Sequence, residues 1–190
     1  MHWVPASRSS LKHREVHRAR FRGQTLNCGD QFGRHANPKA HWAGTAPEIW
    51  EASNGIVTAF FDFVGTGGTF GGCAAFFKSK GVQCYVAEPA GAAVLAGEQA
   101  ANPNHRIQGG GYVMKALPAL NPTTSSNDQD THQGALADGY IQVTDEQAIQ
   151  VSRDLAKLEG IYAGFSAGAN VCAALELLKT EEHKAGTVAM

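Results

Sequence analysis

Two periods of apolar residues run through the chain from residue 45 onward. Ile56 to Val64 is almost unbroken apolar sequence, as expected of a strand covered on both faces. Apolar positions then recur at helical spacing at Phe70, Cys73, Ala74 and Phe77, with Lys78, Lys80 and Gly81 placed as at a helix C-terminus. Val82 to Ala87 reads as a second strand that Glu88-Pro89 breaks, and Ala92 to Ala101 as a helix of small residues ended by Asn102-Pro103. Ile141 to Val143 is a short strand. Thr144-Asp-Glu-Gln147 is a capping box that opens a helix with the inward stripe Ala148, Val151, Leu155 and Leu158, stopped by Gly160. A last helix follows residues 161–170, with Val171, Leu175 and Leu178 facing inward. Upstream, Thr45-Ala-Pro-Glu48 has the form of a helix start, with Thr45 as N-cap and Asn54-Gly55 as the stop. Strands alternating with helices through glycine-rich turns predict an α/β fold: a parallel twisted sheet with flanking helices, whose ligands sit at the strands' C-terminal ends.

The turn after the first strand concentrates the candidate chemistry. Val64-Gly-Thr-Gly-Gly-Thr-Phe-Gly-Gly72 holds five glycines and two threonines. Strand, bare turn and helix together form a cradle for an anion against main-chain N–H groups. No lysine follows the glycines, so the turn is not an ATP-binding P-loop. The dinucleotide fingerprint fits better, with Gly65 and Gly67 in place and Glu88 positioned for a ribose hydroxyl, so an NAD-dependent oxidoreductase stays open. Phe70 stands where that fingerprint needs its third glycine. A tight turn without a ligand is the plain alternative, although each glycine costs about 0.5–1 kcal/mol relative to alanine.

Two other patterns carry less. Gly164-Phe-Ser-Ala-Gly168 has the form of a nucleophile elbow, but only His183 follows it, so Ser166 reads as a helix N-cap. Asp30, His35, His41 and Glu48 fit no standard metal-ligand spacing and read as solvated surface residues.

Composition narrows the class. The 190 residues are 43% hydrophobic and 17% charged with net charge −1, and no apolar run reaches the roughly 18 residues of a membrane span. A soluble chain, cytoplasmic and without a membrane partner, is expected. Cys28, Cys73, Cys84 and Cys172 are scattered, which favours buried thiols over a zinc site or a disulfide framework. Residues 1–22 carry a net charge of +5 against −6 for the remainder. That basic head is read as a disordered segment ahead of one α/β domain over residues 23–190. A mitochondrial or plastid transit peptide is the alternative. No basic surface in the body extends the head, so nucleic acid is not an expected partner.

Several segments together resemble successive blocks of the cysteine synthase and cystathionine β-synthase family. They are Asp30-Gln-Phe32 with Asn37-Pro38, His41 and residues 45–50; Gly65-Thr-Gly-Gly-Thr69; Tyr85-Val-Ala-Glu-Pro89 with Ala93-Val-Leu-Ala-Gly97; Ile107-Gln-Gly-Gly-Gly111; and residues 160–170. The resemblance implies part of the large domain of pyridoxal-phosphate fold type II. It assigns the cofactor's phosphate to Gly65, Thr66, Gly67, Gly68 and Thr69, and places Gly109 in the cofactor cleft. The implied activity is β-replacement, in which an amino-acid substrate derived from serine loses its β-substituent and sulfide or another thiol adds, with a homodimer left open. Two blocks of the family pattern are absent: the one with the Schiff-base lysine, which Ser9-Ser-Leu-Lys-His-Arg14 matches only faintly, and the later one whose serine meets the pyridine nitrogen. The expectation is therefore impaired catalysis and marginal stability for this chain alone, or a non-catalytic remnant acting as a phosphate-binding or interaction module.

Overall fold

The computed structural model describes residues 18–21, 24–27, 31–102, 104–111 and 136–190. Most of the basic head with Lys12, Cys28, Asp30, and most of the polar loop expected over residues 121–139 lie outside the described residues. A short antiparallel hairpin pairs β1 (Arg18–Phe21) with β2 (Gln24–Asn27). Among the described residues the body is a four-stranded, wholly parallel sheet. Its strands are β3 (Ala59–Phe63), β4 (Gln83–Pro89), β5 (Gly139–Val143) and β6 (Val188–Ala189), in the order β5-β4-β3-β6. This is the α/β architecture that the alternating pattern predicts.

Helices cover both faces. On one side α3 (Gly68–Lys78) lays Phe70, Cys73, Ala74 and Phe77 against Phe60, Cys84 and Val86 of the sheet. The Phe60 ring lies 5.1 Å from that of Phe77 and 6.1 Å from that of Phe70. On the other side α4 (Asp145–Asp154) and α5 (Phe165–Leu178) cover Phe61, Phe63 and Ala87 with Ala148, Ala169, Cys172 and Ala173. The alternation of Phe60 and Phe61 between two cores shows why the strand reads as continuously apolar. The three described cysteines are buried and free.

Thr144 caps α4 as its capping box predicts, accepting from the Gln147 N–H while the Gln147 side chain accepts from the Thr144 N–H. Gly160, at φ +70°, ends the π-helical turn Leu155–Glu159 that extends α4. That wider turn advances the register, so Leu158 is exposed rather than inward. Leu175 is exposed as well. The inner face of α5 is built from Gly168, Ala169, Cys172, Ala173 and Leu177, residues small enough for α5 to reach the sheet and α4 closely. At Gly168 an added Cβ would lie 2.3 Å from both the Ala148 carbonyl oxygen and Ser152 Oγ.

Other elements depart from the pattern. Pro89 closes β4 instead of breaking it, because Ala90, next along, supplies the ladder bond to the Val143 carbonyl at 2.9 Å. Residues 92–101 form turns and not a helix. The Glu88 carboxylate accepts from the Leu95 and Ala96 N–H groups, each at 2.8 Å, and holds the chain in that path. Upstream, the helix begins at α1 (Ala36–Ala40) and passes through a π-helical turn (His41–Thr45) into α2 (Ala46–Ala52). Thr45 is inside this run and caps nothing. Pro47 lacks the N–H that an α-helix needs and would crowd the carbonyl four residues back, and the π turn directly before it opens the spacing.

Candidate functional site

The C-terminal end of β3 runs into the glycine turn, and the turn runs directly into α3. Gly67 is the N-cap of α3 at φ +80°, a conformation that L side chains rarely adopt. The second glycine bend lies against the first: a Cβ on Gly65 would be 2.6 Å from the Gly109 carbonyl oxygen, and Gly109 itself has φ +98°. Between the two bends is a cleft of about 220 Å³ lined by residues 65–69, Gly109, Gln108, Asp62, Phe63 and Ser166. All six residues assigned by resemblance, Gly65, Thr66, Gly67, Gly68, Thr69 and Gly109, therefore face one cavity.

Ser166 is not the N-cap of α5. Gly164 takes that position with extended backbone, and Ser166 sits in the first turn of α5 at the cleft wall. The N-termini of α3 and α5 thus converge on the same space. Each helix start carries N–H groups without an intrahelical partner and about half a positive charge from its dipole.

The two threonines are held from behind. Thr66 Oγ1 accepts from Asn37 Nδ2 at 3.0 Å and from the Gly68 N–H at 3.3 Å, and Asn37 Nδ2 also donates to the Gln31 carbonyl at 2.9 Å. With two donors occupying its lone pairs, the Thr66 hydroxyl keeps its proton for an acceptor in the cleft. Thr69 Oγ1 lies 3.4 Å from His41 Nε2, and His41 Nδ1 lies 3.0 Å from Thr45 Oγ1. If the Thr69 proton goes to an anion, His41 must carry its own proton on Nε2 and accept from Thr45 on Nδ1. His41 is accordingly a half-buried link in this network, not the solvated surface residue the sequence predicts. Among the described residues no group of three His, Cys, Asp or Glu could hold a metal ion.

Asp62 is the unforeseen member. It is the one charged residue in the Phe60-Phe-Asp-Phe63 run and it lines the cleft. Desolvation by burial pushes its carboxyl up to about 7, with the Phe70 N–H opposing. The sequence pattern does not single out Asn37, Gln108 or Asp62 as site residues. A lone acid within an apolar strand beside a glycine turn was the available signal for Asp62.

Two features bear on the dinucleotide alternative. Phe70, in place of the third glycine, is fully buried as core. Glu88, placed for a ribose hydroxyl, is buried with its two oxygens already bonded to Leu95 and Ala96.

Residues 2–190 match the family model described as pyridoxal-phosphate dependent enzyme. The chain belongs to that family. Cysteine synthase A of Escherichia coli is 37% identical over 161 residues, which is 80% of this chain and 45% of the relative. The O-acetylserine dependent cystathionine beta-synthase of Bacillus subtilis is 34% identical, covering 84% of this chain and 47% of the relative. Among solved structures, O-acetylserine sulfhydrylase isoform 3 of Entamoeba histolytica superposes with TM-score 0.70 at 32% identity, over 84% of this chain and 44% of that one. A hydrogen sulfide-producing enzyme of Fusobacterium nucleatum superposes with TM-score 0.72 at 32% identity, over 94% and 53% respectively. This is thus a cysteine synthase-like member of the family, and pyridoxal 5′-phosphate is the family's cofactor. The chain spans about half the length of the relatives it matches. No helix among the described residues is long and apolar enough to cross a membrane.

Proposed function

We propose that the cleft between the two glycine bends holds the phosphate of pyridoxal 5′-phosphate, and that the protein is a β-replacement enzyme of the cysteine synthase type. Its substrate class is then a serine derivative with a β-leaving group, and its second substrate sulfide or another thiol. The donor set fits a phosphate monoester. Main-chain N–H groups of the turn other than that of Gly68, the hydroxyls of Thr66 and Thr69, and two helix N-termini provide directed positive charge without a cation. The observation that carries the reading is Thr66, whose hydroxyl oxygen accepts from Asn37 Nδ2 and from the Gly68 N–H, which leaves its proton for an anion in the cleft.

When bound, the cofactor supplies an electron sink for carbanion chemistry. The chain's own contribution is placement. Gly65 to Thr69 would hold the phosphate end, His41 backed by Thr45 would leave the Thr69 proton to the phosphate when it donates from Nε2, and the bare backbone of Gly109 leaves room beside the cleft. The buried Phe70 and the internally satisfied Glu88 support this reading over a dinucleotide.

Titrating the chain with pyridoxal 5′-phosphate, followed by quenching of protein fluorescence, tests the proposal. Saturable binding should be displaced by inorganic phosphate, be lost for pyridoxal without its phosphate, and weaken by roughly tenfold in Thr66→Val, one charge-assisted hydrogen bond. Equal binding of pyridoxal and its phosphate ester would refute it.

A further inference from the structure

Resting on the phosphate reading above, we infer that Asp62 is a specificity-determining residue of the anion site: the cleft accepts a phosphate monoester only together with one proton shared between the Asp62 carboxyl and the phosphate. The geometry begins with β3. Asp62 alternates with Phe61 and Phe63, so it lies on the Phe60 side of the sheet, beneath the start of α3. Its carboxyl faces the Phe70 N–H in the first turn of that helix and lines the same cleft as residues 65–69. An anion on the glycine turn therefore shares a helix N-terminus with a carboxyl group.

Among the described residues the group that opposes the charge of that carboxyl is the Phe70 N–H. Among the described residues no lysine, arginine or histidine forms an ion pair with it. From α3, packed above it, the titratable neighbour is Cys73, itself pushed up to about 12 by burial first and then by the Asp62 charge. On β4 its register partner is Val86, and the nearby Glu88 turns its oxygens to Leu95 and Ala96. β6 contributes Val188 and Ala189. α5 brings Ser166 to the cleft, while its Cys172 belongs to the opposite core. The α1-α2 segment reaches the cleft through His41 on Thr69.

Two negative groups in one cleft repel, and a shared proton turns the repulsion into an O–H···O⁻ bond. The carboxyl's position near 7 overlaps the second ionisation of a phosphate monoester near ~6, so the proton is available at neutral pH from either partner. No co-reactant is consumed: the proton comes from solvent and returns to it on release.

The test uses pyridoxine 5′-phosphate, which has no aldehyde and cannot bond to a lysine, titrated calorimetrically into the full chain from pH 6 to pH 8.5. At pH 8, titrations in two buffers of different ionisation enthalpy should show uptake of about one proton per ligand bound. Affinity should fall by roughly tenfold per pH unit above ~7. Asp62→Asn should abolish the proton uptake and flatten the profile. Binding without proton uptake by the unmodified chain would overturn the role of Asp62 while leaving the phosphate reading intact. Binding at no pH, or binding that inorganic phosphate does not displace, would overturn both. Should Asp62→Asn fail to fold, the uptake measured on the unmodified chain decides alone.

Discussion

Replacing Gly68 by alanine should destabilise the chain, and removing Asn37 should reverse the sign of that effect. A Cβ on Gly68 would stand 2.1 Å from Asn37 Oδ1 and 2.3 Å from its Cγ and Nδ2. The amide must then swing away, and it gives up its bonds to Thr66 Oγ1 at 3.0 Å and to the Gln31 carbonyl at 2.9 Å. At about 0.5–1 kcal/mol for each bond the loss is about 1–2 kcal/mol, plus the cost of rearranging a packed side chain. Alanine in a helical first turn returns up to about 1 kcal/mol over glycine. Gly68→Ala alone should therefore cost on the order of 1 kcal/mol. In an Asn37→Ala background the obstacle is gone, only the helical gain remains, and the same substitution should stabilise by a few tenths to 1 kcal/mol. Urea unfolding of the four proteins gives a coupling energy of about 1–2 kcal/mol on this reasoning. Additivity within about 0.5 kcal/mol would refute it, because the two positions would then be independent.

Four further outcomes follow from single contacts. Asp62 is raised from 3.8 to about 7, so the folded chain holds a proton that the unfolded chain releases over that range. Stability should then fall as pH rises from about 4 to about 7, by at most about 4 kcal/mol, and Asp62→Asn should remove that slope; urea midpoints at pH 5 and pH 8 that move in parallel for both proteins would contradict this. Cys73 and Cys84, pushed up to about 12 chiefly by burial, should resist iodoacetamide at pH 8 and react fully in denaturant, as read by peptide mass mapping. Thr144→Ala should lower unfolding free energy by about 1 kcal/mol through loss of the capping box, with Thr144→Ser close to the parent. Gly168→Ala should cost about 1–3 kcal/mol in the same assay, since its Cβ would meet a backbone carbonyl of α4 that cannot turn aside.

The parts of the fold that were legible are those where a local device and the long-range packing demand the same thing. The capping box at Thr144, the stop at Gly160 and the strand-turn-helix from residue 56 to residue 78 are such cases. The misreadings occur where a distant group overrides local preference. Residues 92–101 have helical composition, but Glu88, buried at the end of β4, recruits two of their N–H groups into a turn. Pro47 looks like the first residue of a helix because prolines favour that position, yet a π turn admits it within a longer run. An ideal helical period places Leu158 and Leu175 in buried stripes. The π turn shifts the first, and a face of smaller residues displaces the second.

The glycine turn shows the same division inside the site itself. Its five glycines read in the sequence as bare backbone reserved for an anion. Three have a steric reason that involves no ligand: Gly65 admits the Gly109 carbonyl, Gly68 admits Asn37, and a Cβ on Gly72 would stand 2.1 Å from the Pro38 carbonyl oxygen. Counting glycines therefore overstates the case for a bound phosphate. What carries it is the direction of the hydrogens. Asn37, admitted by Gly68, donates to Thr66 Oγ1, and His41, beside Gly72, stands 3.4 Å from Thr69 Oγ1, so close packing behind the turn leaves the Thr66 proton for the cleft, and the Thr69 proton as well when His41 donates from Nε2. Packing and binding are then one arrangement seen from two sides, and loosening the outer contacts should weaken the inner ones.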